Sequence, residues 1–339
     1  MGFSSQSGQL IIKSQATPGT YDPDTGTDGV GIYFKGGTLE PSRELLTTDA
    51  EIGGGRDTPD ALLGAVAFSG DIEFYARSAM LLTLLNGCLG TTVSPAVAGG
   101  FTTHTVTPVD SGTLPFFSLE EQVGGSFEVF QYADAIINTL HLEAEANGYL
   151  QGTAGLIARL QTAGNTATDP GDATFDSSPL FVGTNISVAY NGVSLPAKSF
   201  NLDISNNTED DDFRLGSFYL GDLTAKRREI TFGVSVRESS SALWRQAVYG
   251  TAAATAPGGL VTKSPMVLTI SSYEDIPGAA PGVKYVTTIT LPKLALEPYA
   301  EGPSGDDILE SDVTGRALRP VLGTPAISVT VKTDTVVPF

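Results

Sequence analysis

Period-two alternation of apolar and polar residues constrains this chain more than any other feature. In Ser69–Ala76, Asp71, Glu73 and Tyr75 fall on one side, with Ile72, Phe74 and Ala76 on the other. Asn138–Glu145 repeats the pattern, with Leu140, Leu142 and Ala144 opposite His141, Glu143 and Glu145. Successive side chains of a strand point to opposite faces, so such segments form strands with one buried and one wet face. Further runs at 31–35, 116–121, 155–160, 185–190, 199–204, 229–236, 266–271, 285–291 and 326–333 predict more strands. A mainly β fold follows.

Two predicted helices interrupt the strands. Ser78 is placed to cap a run from Ala79 to Leu89 that Gly90 stops. Ser239 or Ser240 is placed to cap a run ending near Tyr249 that Gly250 stops. Both runs end in Gly-Thr and both follow a strand. The surrounding order also repeats: strand, long polar loop, strand, helix, connector, two strands, polar loop, last strand. The offset is about 160 residues, which predicts two tandem copies of one β-rich unit. The units span 1–165 and 179–339, joined by a linker at 166–178 within the small, polar stretch Thr162–Ser178. Few residues are identical between the copies, so a chance arrangement is the competing reading. The loops Thr38–Leu62 and Asn206–Arg228 are long enough to be functional.

Charge limits the partners. Asp and Glu total 38 against 19 Lys and Arg, a net charge of −19. Such a surface repels nucleic acid and anionic membranes, since binding to phosphate needs Lys and Arg. Solubility alone is the plainer account of the excess. Cys88 is the single cysteine, so no intrachain disulfide forms, and its apolar run Met80–Leu89 marks it as a buried thiol. No stretch reaches the ~18 apolar residues of a membrane span, and Met1–Gln6 has neither a signal-peptide nor a myristoylation pattern. A soluble chain made in the cytoplasm is expected.

Catalytic patterns are missing. His104 and His141 are the only histidines and lie far apart, which leaves no zinc set. His141, on the polar side of its strand, reads as an ordinary surface residue. The run Gly258–Ser264 has Thr262 where a phosphate loop needs glycine. Glu120 and Glu121 are adjacent on a strand and point to opposite faces, so they form no acid pair. Glu209, Asp210, Asp211 and Asp212 lack the alternating spacing of a calcium loop. They read better as a solvated loop or as a contact with a basic run such as Lys226, Arg227 and Arg228 in a neighbouring subunit. The chain calls for no catalytic residue, cofactor or metal.

The arrangement resembles the tail tube (major tail) proteins of long-tailed bacteriophages. The likeness rests on Leu10–Tyr21 (LIIKSQATPGTY), on Ser69–Phe74 leading into Leu81–Gly90, on Phe116–Glu120, Ala135–Glu145 and Gly152–Ala158, and on Asn201–Asn207. The resemblance implies antiparallel β-sandwich units, each with one flanking helix, whose sheets join between subunits into a continuous β-barrel tube of stacked rings. It implies a virion tail location, partners in itself and in tape-measure and tail-end proteins, and DNA that leaves through the lumen without specific binding. Asp71, Glu73, Glu143 and Glu145 are then candidates for an acidic lumen wall, with outer solvent as their alternative. Glu209–Asp212 and Lys226–Arg228 become candidate inter-ring or inter-subunit contacts. Two units per chain favour a trimeric ring; a hexamer remains if the second half is external decoration. The competing functions are another virion module (capsid decoration, baseplate or fibre attachment) and a secreted calcium-dependent binding protein.

Overall fold

The computed structural model describes residues 5–22, 29–52, 54, 56–58, 60–124, 127–166, 173–237, 240–300 and 310–334. Where alternation predicts strands, strands form. Seven of them in the first half are neighbours in the order Phe34–Gly36, Ala61–Tyr75, Gln151–Thr162, Glu128–Glu145, Phe117–Val123, Gln9–Ser14, Val30–Ile32. Seven in the second half are neighbours in the order Ala197–Ser205, Glu229–Arg237, Glu310–Ala317, Lys284–Leu296, Lys263–Asp275, Ile186–Tyr190, Val193–Ser194. All of these pairings are antiparallel.

The two ladders meet where Thr139–Glu145 pairs with Ser199–Ser205, so one sheet crosses from half to half. A single row of its core face reads Phe34, Phe74, Gly152, Leu142, Leu202, Phe232, Gly315, Leu296 on successive strands. At Gly152 the backbone needs the missing side chain, because a Cβ would lie 2.8 Å from the Phe74 ring and from Leu142. The core under this face is one cluster drawn from both halves, from Leu10 to Val331. A smaller one (Ala67, Leu114, Ile136, Ile157, Leu220, Leu223) lies beneath the loop 206–228.

Both glycine stops form as expected: Gly90 and Gly250 take φ of 102° and 92°, and each donates its N–H to the carbonyl four residues back. The helix Ser78–Leu89 is buried throughout. The helix Ala242–Tyr249 buries only Gln246 and Ala247 fully.

Several expectations need correction. Ser78 is the first residue of its helix rather than its cap. The carboxylate of Asp176 accepts the amides of Ala79 (2.7 Å) and Met80 (2.9 Å), and Ser178 Oγ accepts that of Ser78 (3.0 Å). Ser239 lies outside the described residues, and Ser241, at the start of the second helix, makes no side-chain cap bond. The end of the linker is therefore docked structure: Thr174–Phe175 also pairs in parallel with Val30–Gly31. Within the loop 38–62, Glu40–Thr47 pairs with the first part of Ala61–Tyr75 as an exposed ribbon. The strands were expected in separate sandwiches, yet the described pairings link all of them into one sheet, open rather than closed into a barrel within the chain. Ser328–Thr333 adds to that continuity by pairing with Lys284–Leu296 on one side and Thr102–Pro108 on the other.

Candidate functional site: an acidic sheet face

The opposite face of the same sheet is polar. One row across it reads Glu73, Thr153, His141, Asp203, Thr231, Arg316, with Asp71 one pleat away on the first strand. Glu143 faces Asn201 and Glu145 faces Ser199. The four acids singled out in the sequence, Asp71, Glu73, Glu143 and Glu145, thus share one face, and all four are exposed. The second half adds Asp203, Glu229, Glu310 and Asp312 to it. Sequence reading passed over Asp312 and Glu310, because their strand carries few large apolar residues.

Lys35, Lys198 and Arg316 are cations of this face with carboxylate partners. Lys35 lies 3.8 Å from Glu73 and 3.2 Å from the Gln151 side-chain oxygen. Arg316 donates to Glu297 at 2.6 Å, which holds its guanidinium above the usual arginine range. His141, expected to be an ordinary surface residue, sits at the join between the halves. Its Nδ1 is 2.6 Å from Asp203 Oδ1 and its Nε2 is 3.5 Å from Glu143 Oε2. The carboxylates named above outnumber these cations on the face.

The acidic loop and the basic run find partners inside the chain. Lys226 is 3.4 Å from Glu209. Arg214 bridges Asp212 (2.6 Å) and Asp222 (2.7 Å), and its bond holds the Asp212 carboxyl below the usual range. Arg228 donates to Asn206 Oδ1 and to the Val109 carbonyl; burial lowers its affinity for the proton. Asp210, Asp211 and Arg227 are exposed. No group of three or more potential metal ligands occurs among the described residues. Glu120 and Glu121, on opposite faces of their strand, are both buried and satisfied. Glu120 accepts from Tyr21 and Gln131, and Glu121 from Thr38 and Tyr132.

The fold thus presents one sheet shared by both halves of the chain, oily on one side and acidic on the other. The chain belongs to the phage tail tube protein family, whose sequence profile matches residues 5–317 and so runs through both halves. It is a structural protein of the virion tail. No curated protein matches the chain significantly.

Proposed function

We propose that the chain carries two tail tube units, that three copies close into a ring with approximate six-fold symmetry, and that stacked rings form the conduit through which DNA leaves the capsid. The observation that carries this reading is the core row across the shared sheet. Its first four residues, Phe34, Phe74, Gly152 and Leu142, are followed by Leu202, Phe232, Gly315 and Leu296 on strands of the same order. The join between Leu142 and Leu202 then has the character of a subunit contact held within one chain. Repeating it between chains closes the sheet into a barrel and removes exposed edges that otherwise promote aggregation. The family match across both halves favours two tube units over one unit with an appended decoration. In this barrel the acidic face lines the lumen, where like charge keeps DNA from adhering as it slides. The tape-measure and tail-end proteins are the expected partners at the tube's ends.

Negative-stain electron microscopy of the concentrated protein tests the reading. Hollow tubes with three-fold or pseudo-six-fold end views are expected. True six-fold symmetry with outer knobs keeps the conduit and removes the trimer; closed discrete oligomers remove the tube.

A further inference from the structure

The join between the halves uses one edge of Glu128–Glu145, whose other edge pairs with Gln151–Thr162. On the joining edge the pairing with Phe117–Val123 ends at Ala135, and Thr139–Glu145 is left to Ser199–Ser205. In the second half Lys284–Leu296 holds the matching place, with Leu296 facing Gly315 as Leu142 faces Gly152. Its joining edge is covered by the chain itself. Lys263–Asp275 runs on past the point at which Phe117–Val123 stops, and puts Ser264 opposite Leu294 and Lys263 opposite Ala295.

If the join repeats between chains, these are the positions that a neighbour's strand must take. Within the chain, Leu142 faces Leu202 and His141 faces Asp203. The same register sets Leu296 against Phe34, and Ala295 against Lys35, of the next copy. Phe34–Gly36 pairs with Ala61–Tyr75 on one edge, and its other edge has no strand partner among the described residues. The covering residues mimic that strand. Lys263-Ser264 and Lys35-Gly36 pass Ala295 and Leu294 in the same direction, each with its lysine opposite Ala295.

The cover is lightly fastened. Pro265 has no N–H for the ladder and the register shifts between Ser264 and Met266, so two pairs stand beyond a break. Terminal pairs of this kind open at the least cost. The residue before them is tied to the second helix, where Thr262 donates to the Gly250 carbonyl at 2.8 Å. That helix, Ala242–Tyr249, buries only Gln246 and Ala247 fully, so cover and helix can swing away together.

We propose that Lys263–Ser264 clasps the assembly edge of the free chain, and that Phe34–Gly36 of a neighbouring copy displaces it. An open strand edge invites indiscriminate pairing, and a strand of the same chain laid over it prevents this. The clasp keeps free copies apart and yields to the matching strand. This inference rests on the two-unit reading and names the step that turns a free chain into a ring member.

Two double variants of the full chain test it, each concentrated with and without reductant, sedimented and imaged. Lys263→Cys with Ala295→Cys links directly opposed residues and locks the clasp. The oxidised form is expected to lose assembly and to regain it on reduction. Oxidised protein that assembles as fully as reduced protein overturns the clasp, and so does failure of the intrachain bond to form. Lys35→Cys with Ala295→Cys reports the exchange, and it decides the matter if neither form of the first variant assembles. A reducible ladder of dimers and trimers is expected, absent from either single variant; buried Cys88 does not compete. Absence of the ladder overturns the exchange, and tubes with three-fold end views in that sample leave the two-unit ring standing. A ladder on assemblies without that symmetry keeps the exchange and sinks the two-unit ring.

Discussion

His141 and Asp203 meet across the join between the two halves, with Nδ1 and Oδ1 2.6 Å apart on adjacent strands. The pair is conspicuous, but it is not what holds the join. Both side chains are more than a third exposed, and an ion pair in that setting contributes about 0–1 kcal/mol. One residue along on the other face, Leu142 and Leu202 face each other fully buried in the shared core.

Replacing the two kinds of residue separates their contributions. Asp203→Asn is expected to shift stability by less than about 1 kcal/mol. Leu202→Ala removes a buried side chain from the middle of the sheet, at a cost of about 2–5 kcal/mol. Because one core spans both halves, the loss appears as a single transition at lower denaturant. Fluorescence of Trp244 in the second half and circular dichroism of the whole sheet should then coincide. Two separated transitions would mean that the halves fold independently.

A second buried anchor fixes the N-terminal segment. Asp134 is fully buried with φ of 55°, and its carboxylate accepts from Gln15 Nε2 (2.6 Å), the Gly19 amide (2.6 Å) and Arg159 (2.8 Å). Asp134→Ala strands the Arg159 cation and opens the segment 15–19, an expected loss of about 3–5 kcal/mol. Asp134→Asn keeps the shape and some of the bonds and is expected to lose less. Thermal unfolding of the two variants checks the order.

Much of this fold is legible in the sequence because large apolar residues alternate with polar ones at 69–76 and 138–145, and because glycine ends both helices. The strand Glu310–Ala317 is not: its inward residues are Ser311, Val313 and Gly315, and only one is large and apolar. The role of Asp134 is hidden for another reason. A buried acid is chosen by partners 25 to 119 positions away, and no local pattern announces them. The four acids of the polar face were legible as strand residues. That a second half would extend the same face depends on the pairing of Thr139–Glu145 with Ser199–Ser205, which local periodicity does not specify.

The connector offers a test of capping at a distance. Asp176 takes two amides at the start of the helix Ser78–Leu89 and, through its other oxygen, the Ser178 amide at 2.8 Å. A carboxylate there satisfies unpaired donors and favours the helix dipole. Asp176→Ala is expected to cost about 1–2 kcal/mol, the upper range for a lost cap. Proteolysis should cut faster within 166–178 once the anchor is gone; unchanged cleavage would argue that Phe175 alone holds the segment.

Cys88 predicts a pH signature. Burial pushes its thiol up to about 12, an effect that Arg228 and a bond from Asn206 only partly offset. The thiolate is the reactive form, so at neutral pH the native protein should resist alkylation and react at once in denaturant. A thiol whose pKa is raised by folding from 9.0 favours the native state fully below that pH. The contribution is lost as pH climbs toward 12, so Cys88→Ala should flatten the alkaline fall in stability. Rapid labelling of the folded protein at pH 8 would contradict this.

The acidic face yields the prediction closest to function. Changing Asp71, Glu73, Glu143 and Glu145 to lysine turns a repelling surface into one that neutralises phosphates. Binding to phosphate falls steeply with salt, with a slope near −0.9 per contact on duplex DNA. Assembled variants should therefore retain DNA at low salt and release it as salt rises, while the unaltered protein retains none. The form of the DNA separates lumen from exterior. A linear duplex can thread a tube from its end, but a closed circle cannot enter. If the face lines the lumen, lysine variants hold linear DNA and leave circles in the supernatant when tubes are sedimented. If the face is external, both forms sediment together. Side chains at these positions are exposed and make few bonds, so the substitutions should leave folding intact. Retention of circles would move these acids to the outside of the tail and leave the lumen to be found on another surface.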